Sequence, residues 1–173
     1  MRVAHVSSYP ISLNLAGKRV VVVGAGAVAA RRIASLIDAG AHIVVISPVV
    51  DARIHELAAT HQVEINLREF AAGDLAGAWL VHATTNLSEV NELVASEADS
   101  QGTWCIRADQ ALLSEAWTPA STRVDDVTIA VTANADPRRA AAIRDAIAEQ
   151  LVVGELPIRR IRATQGHVVL IGG

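Results

Sequence analysis

The strongest chemical signal in this sequence is a set of small residues that follows a short apolar run. Gly24, Gly26 and Ala29 give the spacing G-x-G-x-x-A between the run 20–23 and an amphipathic segment. The first glycine permits a tight turn, the second lets the backbone approach a pyrophosphate, and a small third residue keeps the helix near the sheet. Backbone N–H groups at the start of that helix then face the phosphates. This context predicts a dinucleotide-binding site, and a glycine turn without a ligand is the weaker alternative.

Polar residues after the second predicted strand are candidates for the ribose end of a dinucleotide. Ser47 and Pro48 stand where a ribose-binding carboxylate is usual, and Asp51 comes a little later. Ser47 can form a hydrogen bond with a ribose hydroxyl, whereas Arg53 can face a 2′-phosphate. The spacing therefore leaves NAD and NADP open.

Further polar residues follow the fourth and fifth predicted strands. Thr84 and Thr85 lie where a doubly wound sheet places its ligand crevice, and we expect them to contact nicotinamide. Asn86, three residues before Glu89, fits a helix-capping pair. Asp109 follows the fifth strand and is a candidate acid or base, with a surface turn carboxylate as the equal alternative.

The elements that position these residues alternate along the chain. Apolar runs predict strands at 20–23, 43–46, 63–67, 79–83 and 103–106. Predicted helices run from the glycine motif to Gly40, over 51–60, and through a segment in which Val90, Leu93 and Val94 share one face. The order β-α-β-α-β-β-α-β predicts an α/β fold with a Rossmann-type, doubly wound, mostly parallel sheet.

The pattern changes after Asp109. The runs 120–124 and 127–132 predict an antiparallel hairpin outside the first sheet, and Asp136-Pro137 predict the start of a helix. Residues Ala140, Ile143, Ile147 and Leu151 share one face of that helix. Because a hairpin and one amphipathic helix cannot bury both of their surfaces alone, we predict a homodimer.

These patterns divide the chain into three predicted parts. Residues 1–112 form the dinucleotide-binding domain, residues 113–153 a dimerisation and substrate-roof region, and residues 154–173 a linker followed by a strand that begins at His167. We interpret that glycine-ended strand as the start of a truncated further domain. The alternative is an edge strand of the same domain.

Composition excludes several classes of function. A formal net charge of −3 argues against nucleic acid or an anionic membrane as the main partner. No apolar run is long enough to span a bilayer, and Met1–His5 lacks a signal segment. The single cysteine, Cys105, suits a small buried residue in a reducing cytoplasm. Six scattered histidines predict no permanent metal site.

Taken together, the motifs resemble those of the precorrin-2 dehydrogenase family, the NAD-dependent module of siroheme synthases. The resemblance extends from Tyr9 to about Leu151 with almost no gaps. Its marks are Tyr9–Leu13, the Gly24 motif, Ala83–Asn86 with Val90-Asn91, Cys105–Asp109, Pro119, and Ile129–Thr132 before Pro137. The strand after His167 also resembles the opening of the uroporphyrinogen-III methyltransferase domain to which this module is often fused.

The resemblance implies oxidation of precorrin-2 to sirohydrochlorin with NAD as the cofactor. The matching family aspartate makes Asp109 the catalytic carboxylate, which can take a proton. In bifunctional members it also assists the insertion of ferrous iron, a second substrate. Residues that match the family's NAD site are Ala27, Val28, Ser47 and Pro48. The family's second region is a dimerisation domain, in agreement with the predicted homodimer.

The substrate carries many carboxylates, so the cleft should contain basic and polar groups. The expected substrate-binding residues are Arg107, Pro119, Thr132, Asn134 and Arg138. Arg31, Arg32 and Arg139 are further basic candidates. This chain departs from the family where Arg107 and Ala108 replace apolar residues, and in the shorter loop 132–135.

Two other functions stay open at this stage. One is a non-catalytic module that senses a dinucleotide or a tetrapyrrole and no longer uses Asp109. The other is a dehydrogenase of a small carboxylated metabolite, which the predicted hairpin disfavours because a small substrate needs no dimeric roof.

Overall fold

The structure is a computed structural model that describes residues 9–61, 63–134, 136–156 and 167–172, the last range by its backbone only. The chain divides into two compact units. The first unit comprises the described residues of 13–117, and the second comprises the described residues before and after that range. The Met1–His5 segment, which we interpreted as lacking a signal peptide, lies outside the described residues.

The first unit is a parallel sheet with helices on both faces. Its elements are β1 (Arg19–Ala25), α1 (Ala27–Asp38), β2 (His42–Val50), α2 (Ala52–Thr60), β3 (Val63–Asn66), β4 (Leu80–Ala83), α3 (Ser88–Ser100) and β5 (Trp104–Arg107), followed by a 3₁₀ turn at Ala111–Leu113. The strand order is β3-β2-β1-β4-β5, and every pairing is parallel. The predicted Rossmann-type fold is therefore confirmed.

The core of this unit occupies both faces of the sheet. Val20 and Val22 pack with α1 and α2, whereas Val21 and Val23 pack on the α3 side. A strand that is buried on both faces needs apolar residues at every position, which explains the uninterrupted valine run. Gly40, with φ +71°, follows the end of α1 as predicted.

The predicted end of the second strand is wrong. We expected Ser47-Pro48 to stop it, but β2 continues to Val50, which pairs with Ala25 across an irregularity in the β1 register. Proline is compatible with this stretch because β3 pairs with β2 only as far as Ile46, so the N–H group that proline lacks is not needed there.

The predicted cap of α3 and one residue of its predicted face, Leu93, are also wrong, whereas Val94 is buried and Val90 packs against the core. Leu87 precedes the helix as its N-cap residue, so Asn86 does not cap it. The buried residues of α3 are Asn91, Val94 and Ala98, whereas Leu93 is 64% exposed. An asparagine thus takes the inward position that hydropathy assigned to a leucine.

The second unit contains the predicted hairpin and helix. Its elements are β6 (Ala120–Val124), β7 (Val127–Thr132), α4 (Pro137–Val152) and β8 (His167–Gly172). Strands β6 and β7 pair antiparallel in a separate sheet, and α4 packs the predicted face against Ile129 and Val131. Asp136 caps α4 by accepting a hydrogen bond from the Arg139 N–H. Strand β8 pairs parallel with β7, the arrangement that the edge-strand alternative describes.

Candidate functional site

A cavity of about 660 Å³ opens at the carboxyl ends of the central strands of the first unit. This volume is in the range of small-molecule and cofactor sites. The lining residues come from the ends of β1, β2 and β4, the loop after β3, and α3: Val23–Gly26, Ile46–Asp51, Glu69, Phe70, Thr84–Leu87, Val90 and Leu93. Of the eight cofactor residues expected from the sequence, the cavity brings six together: Gly24, Gly26, Ser47, Pro48, Thr84 and Thr85. The other two, Ala27 and Val28, begin α1 next to Gly26.

The two glycines of the motif have different surroundings. Gly24 has φ +92°, and a Cβ atom there would lie 2.8 Å from the backbone of Thr84 and Thr85. Gly26 has an ordinary φ of −89°, and a Cβ atom there would meet nothing within 4 Å. The space above Gly26 is thus open to a ligand. Because the first N–H groups of a helix have no partner inside it, they suit an anion in that space.

The threonines after β4 are held by the protein itself. The Thr84 hydroxyl is buried and donates to the carbonyl oxygens of Val23 and Gly24, at 2.9 and 3.1 Å. It therefore fixes the glycine turn from inside. The Thr85 N–H and hydroxyl both bond Asn91 Oδ1, and Asn91 Nδ2 donates to the Thr85 carbonyl at 3.0 Å.

Asn91 is a site residue that the sequence analysis did not identify. It is fully buried and holds in place Thr85, which lines the cavity. The signal that was available is its spacing with Val94 and Ala98 at i, i+3 and i+7, which puts a polar residue on a buried helix face.

Asp51 is a carboxylate at the end of the second strand, where the sequence analysis had placed Ser47 and Pro48 with Asp51 a little later. It directly follows the extended β2, lines the cavity, and donates its N–H to the Ala25 carbonyl at 2.9 Å. Ser47 also lines the cavity and donates its hydroxyl to the Val49 carbonyl at 2.7 Å. The assignment was missed because the strand was ended four residues too early.

The Asp51 carboxylate is paired with Arg53. It accepts from the Arg53 N–H, Nε and Nη2 at 3.0, 2.9 and 2.8 Å. These hydrogen bonds lower the pKa of Asp51 to about 2. A carboxylate that lines the cavity is thus held by a neighbouring guanidinium.

The opposite wall of the cavity is apolar. Phe70 and Leu93 line it, and both also line an adjoining cavity of about 380 Å³. Leu87 is 59% exposed at the same rim. Exposed leucines beside an aromatic ring form an apolar surface of the kind that suits a flat heteroaromatic group.

Arg107 and Asp109 form a paired group at the end of β5. Arg107 Nε and Nη2 donate to the two carboxylate oxygens of Asp109 at 3.2 and 2.9 Å. The two side chains are 6% and 17% exposed. The pKa of Asp109 is lowered to about 2, chiefly by the hydrogen bonds from Arg107, with smaller contributions from Ser88 and Asn91. Asp109 is therefore an ionised carboxylate in a partly enclosed position.

The remaining substrate-binding candidates belong to the second unit. Pro119 directly precedes β6, Thr132 ends β7, and Arg138 is exposed in the first turn of α4. Asn134 has a positive φ of +41° in the loop between β7 and α4. Ala135, the last residue of that loop, lies outside the described residues.

The described ranges contain neither a cluster of metal ligands nor a membrane-spanning helix. No three His, Cys, Asp or Glu side chains there are grouped so that they could hold a metal ion. No helix there has the length and apolar character that crossing a membrane requires. Cys105 is buried, as expected for a small core residue.

Comparisons with known proteins agree with the fold and the motif. Residues 11–120, more than half of the chain, match the NAD_binding_7 family, described as NAD(P)-binding. Siroheme synthase 3 of Aeromonas hydrophila is 44% identical over 90 residues, which are 52% of this chain and 19% of that protein. Precorrin-2 dehydrogenase of Priestia megaterium is 36% identical over 86 residues, 50% of this chain and 43% of that protein.

A solved structure, SirC, precorrin-2 dehydrogenase, has a TM-score of 0.72 at 24% identity and covers 88% of this chain and 84% of its own. At that identity it supports the fold. The chain matches about a fifth of the length of the siroheme synthases. The resemblance inferred from the motifs is confirmed, and a nicotinamide dinucleotide is the cofactor that the family match supports.

Proposed function

Since this chain belongs to the NAD_binding_7 family of NAD(P)-binding proteins, we propose that it is an NAD-dependent dehydrogenase of precorrin-2. The observation that carries the proposal is the open space above Gly26, at the start of α1 and beside the Asp51 carboxylate. The names of the relatives, siroheme synthase and precorrin-2 dehydrogenase, support the tetrapyrrole as substrate.

The cavity residues have distinct roles in holding the cofactor. The pyrophosphate would bind at Gly26 and the N–H groups that begin α1, namely those of Ala27 and Val28. Asp51 would accept from a ribose hydroxyl, and its negative charge disfavours a 2′-phosphate, so we propose NAD rather than NADP. Phe70 and Leu93 would contact the adenine ring.

The reaction requires an acceptor for two electrons and a site that tolerates charge. A nicotinamide held in this cavity would supply the acceptor for a hydride from the substrate. Precorrin-2 also loses one proton, so the products are sirohydrochlorin, NADH and H⁺. Asp109 is the proposed catalytic carboxylate because its ionised side chain stabilises the positive charge that the substrate develops as hydride leaves.

The substrate carboxylates need cations and hydrogen-bond donors. Arg138 offers a positive charge next to the N-terminus of α4, where backbone N–H groups also favour anions. We propose Thr132, Asn134 and Pro119 as its neighbours in binding the tetrapyrrole. Ferrous iron is the proposed second substrate if the protein is bifunctional, and its insertion would yield siroheme.

We also propose that residues 113–153 form the dimer interface of a homodimer. The apolar residues Val152 and Val153 at the end of α4 are 72% and 61% exposed. Light scattering coupled to size-exclusion chromatography tests this proposal directly, and a mass equal to one chain would refute it.

The test of function is anaerobic turnover of precorrin-2, generated in situ, by the full chain with NAD⁺. Sirohydrochlorin absorbance is followed for the wild type and for Asp109→Ala, with and without ferrous iron. We expect turnover by the wild type and a loss of about 10²-fold in the variant. Binding of NAD⁺ without any sirohydrochlorin would refute the dehydrogenase and support the non-catalytic sensor.

A further inference from the structure

Arg107 is held in place more firmly than a surface arginine. Its side chain is 6% exposed, and its backbone N–H donates to the buried Ser114 hydroxyl at 2.9 Å. The next residue, Ala108, donates its N–H to the Ala83 carbonyl at 2.9 Å, which ties this segment to β4. The backbone from which the guanidinium extends towards Asp109 is therefore held in place by hydrogen bonds.

The contact between Arg107 and Asp109 uses both carboxylate oxygens. Nε and Nη2 donate to Oδ1 and Oδ2 at 3.2 and 2.9 Å, the two-pronged geometry that restricts rotation of a carboxylate. A partly buried pair of this kind is screened less by water and salt than an exposed one. Asp109 therefore has one preferred orientation.

The other groups around this pair do not compete with it. Ser88 and Asn91 of α3 also stabilise the Asp109 carboxylate and lower its pKa. Glu92 of α3 and Cys105 of β5 are the remaining groups that act on Arg107, and both raise its pKa. These groups favour a charged Arg107 beside a charged Asp109, and together with the hydrogen bonds of the pair they outweigh burial, which alone would raise the pKa of Asp109 and lower that of Arg107.

We propose that Arg107 is a positioning residue that makes Asp109 a fixed, oriented anion and prevents it from serving as a proton acceptor. The inference rests on the proposed function. The C–H electron pair leaves precorrin-2 as hydride to NAD⁺, the macrocycle becomes one unit more positive, and a pyrrole N–H proton then passes to water. Asp109 stabilises the positive charge and stays ionised throughout.

The first test measures the carboxylate itself. The ¹³C carboxyl resonance of Asp109, assigned with Asp109→Asn, is followed against pH in the wild type, Arg107→Met and Arg107→Lys. We expect no titration of Asp109 above about pH 3 in the wild type. In Arg107→Met the midpoint should rise by more than one pH unit, and Arg107→Lys should lie between the two because it keeps the charge and loses the fork.

A matched control variant is available in the same unit. Arg68 donates to both oxygens of Asp74 at 2.7 and 2.6 Å, away from β5. Arg68→Met also removes a two-pronged arginine–aspartate pair and should leave the Asp109 resonance unchanged. If Arg107→Met fails to fold, the wild type and Arg107→Lys still decide the result, since a wild-type midpoint near pH 4 refutes the inference.

Kinetics separates a fixed anion from a base. A general base works better as its pKa approaches the working pH. If Asp109 were a base, the higher pKa that it has in Arg107→Met would therefore preserve or increase kcat. A fixed anion loses its orientation instead, and kcat of Arg107→Met should fall about tenfold or more at pH 8 while NAD⁺ affinity is unchanged. An unchanged or higher kcat overturns the inference alone, whereas a wild type without turnover overturns the proposed function.

Discussion

Gly24 and Thr84 stand so close that a Cβ atom on the glycine would lie 2.8 Å from the carbonyl carbon of Thr84. The two residues are 60 positions apart in sequence, at the ends of the adjacent strands β1 and β4. The turn into α1 and the segment leading to α3 are thus packed backbone against backbone. A Cβ atom on Gly26, two residues later, would meet nothing within 4 Å.

This difference predicts opposite effects of two alanine substitutions. Gly24→Ala combines a positive φ with a backbone clash and should lower the free energy of unfolding by roughly 2 kcal/mol or more. Gly26→Ala should change stability little but weaken dinucleotide affinity about tenfold or more, because its methyl group occupies the ligand's space. Urea unfolding and calorimetric titration measure the two effects.

The control for the glycine pair is Gly102→Ala. Gly102 also has a positive φ, +63°, but nothing lies within 4 Å of its Cβ position. It therefore reports the cost of the backbone conformation alone. A loss of stability in Gly26→Ala as large as that in Gly24→Ala would contradict the assigned roles.

The buried Thr84 hydroxyl predicts a structural rather than a cofactor-contacting role. Thr84→Val keeps the shape but removes the donor to the Val23 and Gly24 carbonyls, so unfolding should become easier by about 1–2 kcal/mol. Thr84→Ser keeps the donor and should retain most of the stability. If Thr84→Val instead kept full stability and lost only cofactor affinity, direct contact with nicotinamide would be the better interpretation.

The pairing of Asp51 with Arg53 predicts a switch in cofactor preference. Asp51→Ala removes the negative charge and releases the Arg53 guanidinium, which can then pair with a 2′-phosphate. We expect NAD⁺ affinity to fall and NADP⁺ affinity to rise. Binding constants for both dinucleotides, measured by fluorescence or calorimetry, give the ratio.

The double variant Asp51→Ala/Arg53→Ala is the control for that switch. Without the guanidinium it should bind neither dinucleotide preferentially. A wild type that binds NADP⁺ more tightly than NAD⁺ would reverse the proposed role of Asp51.

The predictable part of the fold follows from local pattern. The valine run of β1, the stripe on α1 and the proline start of α4 each satisfy one simple rule, and the structure has all three elements. The hairpin 120–124 and 127–132 is also where alternation and the Asp-Asp turn placed it. Such elements are specified by residues within one or two turns of each other.

The site was harder to predict because its decisive contacts are between distant residues. Asn91 is buried because the backbone of Thr85 needs its amide, and Leu93 is exposed because it lines a cavity. Strand β2 continues past its last pairing with β3 because Val50 pairs with Ala25 of β1, and this pairing puts Asp51 at the end of the strand. A hydropathy pattern reports local sequence and contains no information on contacts with residues that are distant in sequence.

The last prediction concerns a histidine inside the central sheet. His82 lies on β4 between Val22 and Ile106, is 3% exposed, and its Nδ1 has no hydrogen-bond partner among the described residues. Burial, together with the positive charge of Arg32, lowers its pKa from 6.5 to about 4. The ring is therefore neutral in the folded protein under conditions where it would be protonated in the unfolded chain.

This shift predicts acid sensitivity at mildly acidic pH. The unfolded state binds more protons than the folded state between pH 6.5 and 4, so the stability associated with neutral His82 is complete above about pH 6.5 and is lost as pH falls towards 4. The loss is on the order of 3 kcal/mol.

His82→Leu should remove this loss of stability, since leucine fits the apolar face and leaves no buried nitrogen unpaired. Urea unfolding at pH 7.5 and pH 5, with exposed His55→Leu as the control, measures the difference. The two aspartates that are paired with arginines, Asp51 and Asp109, add acid sensitivity only below about pH 4, outside the pH range in which His82 acts. Equal pH dependence in the wild type and His82→Leu would show that His82 is protonated, or hydrogen-bonded, in the folded state.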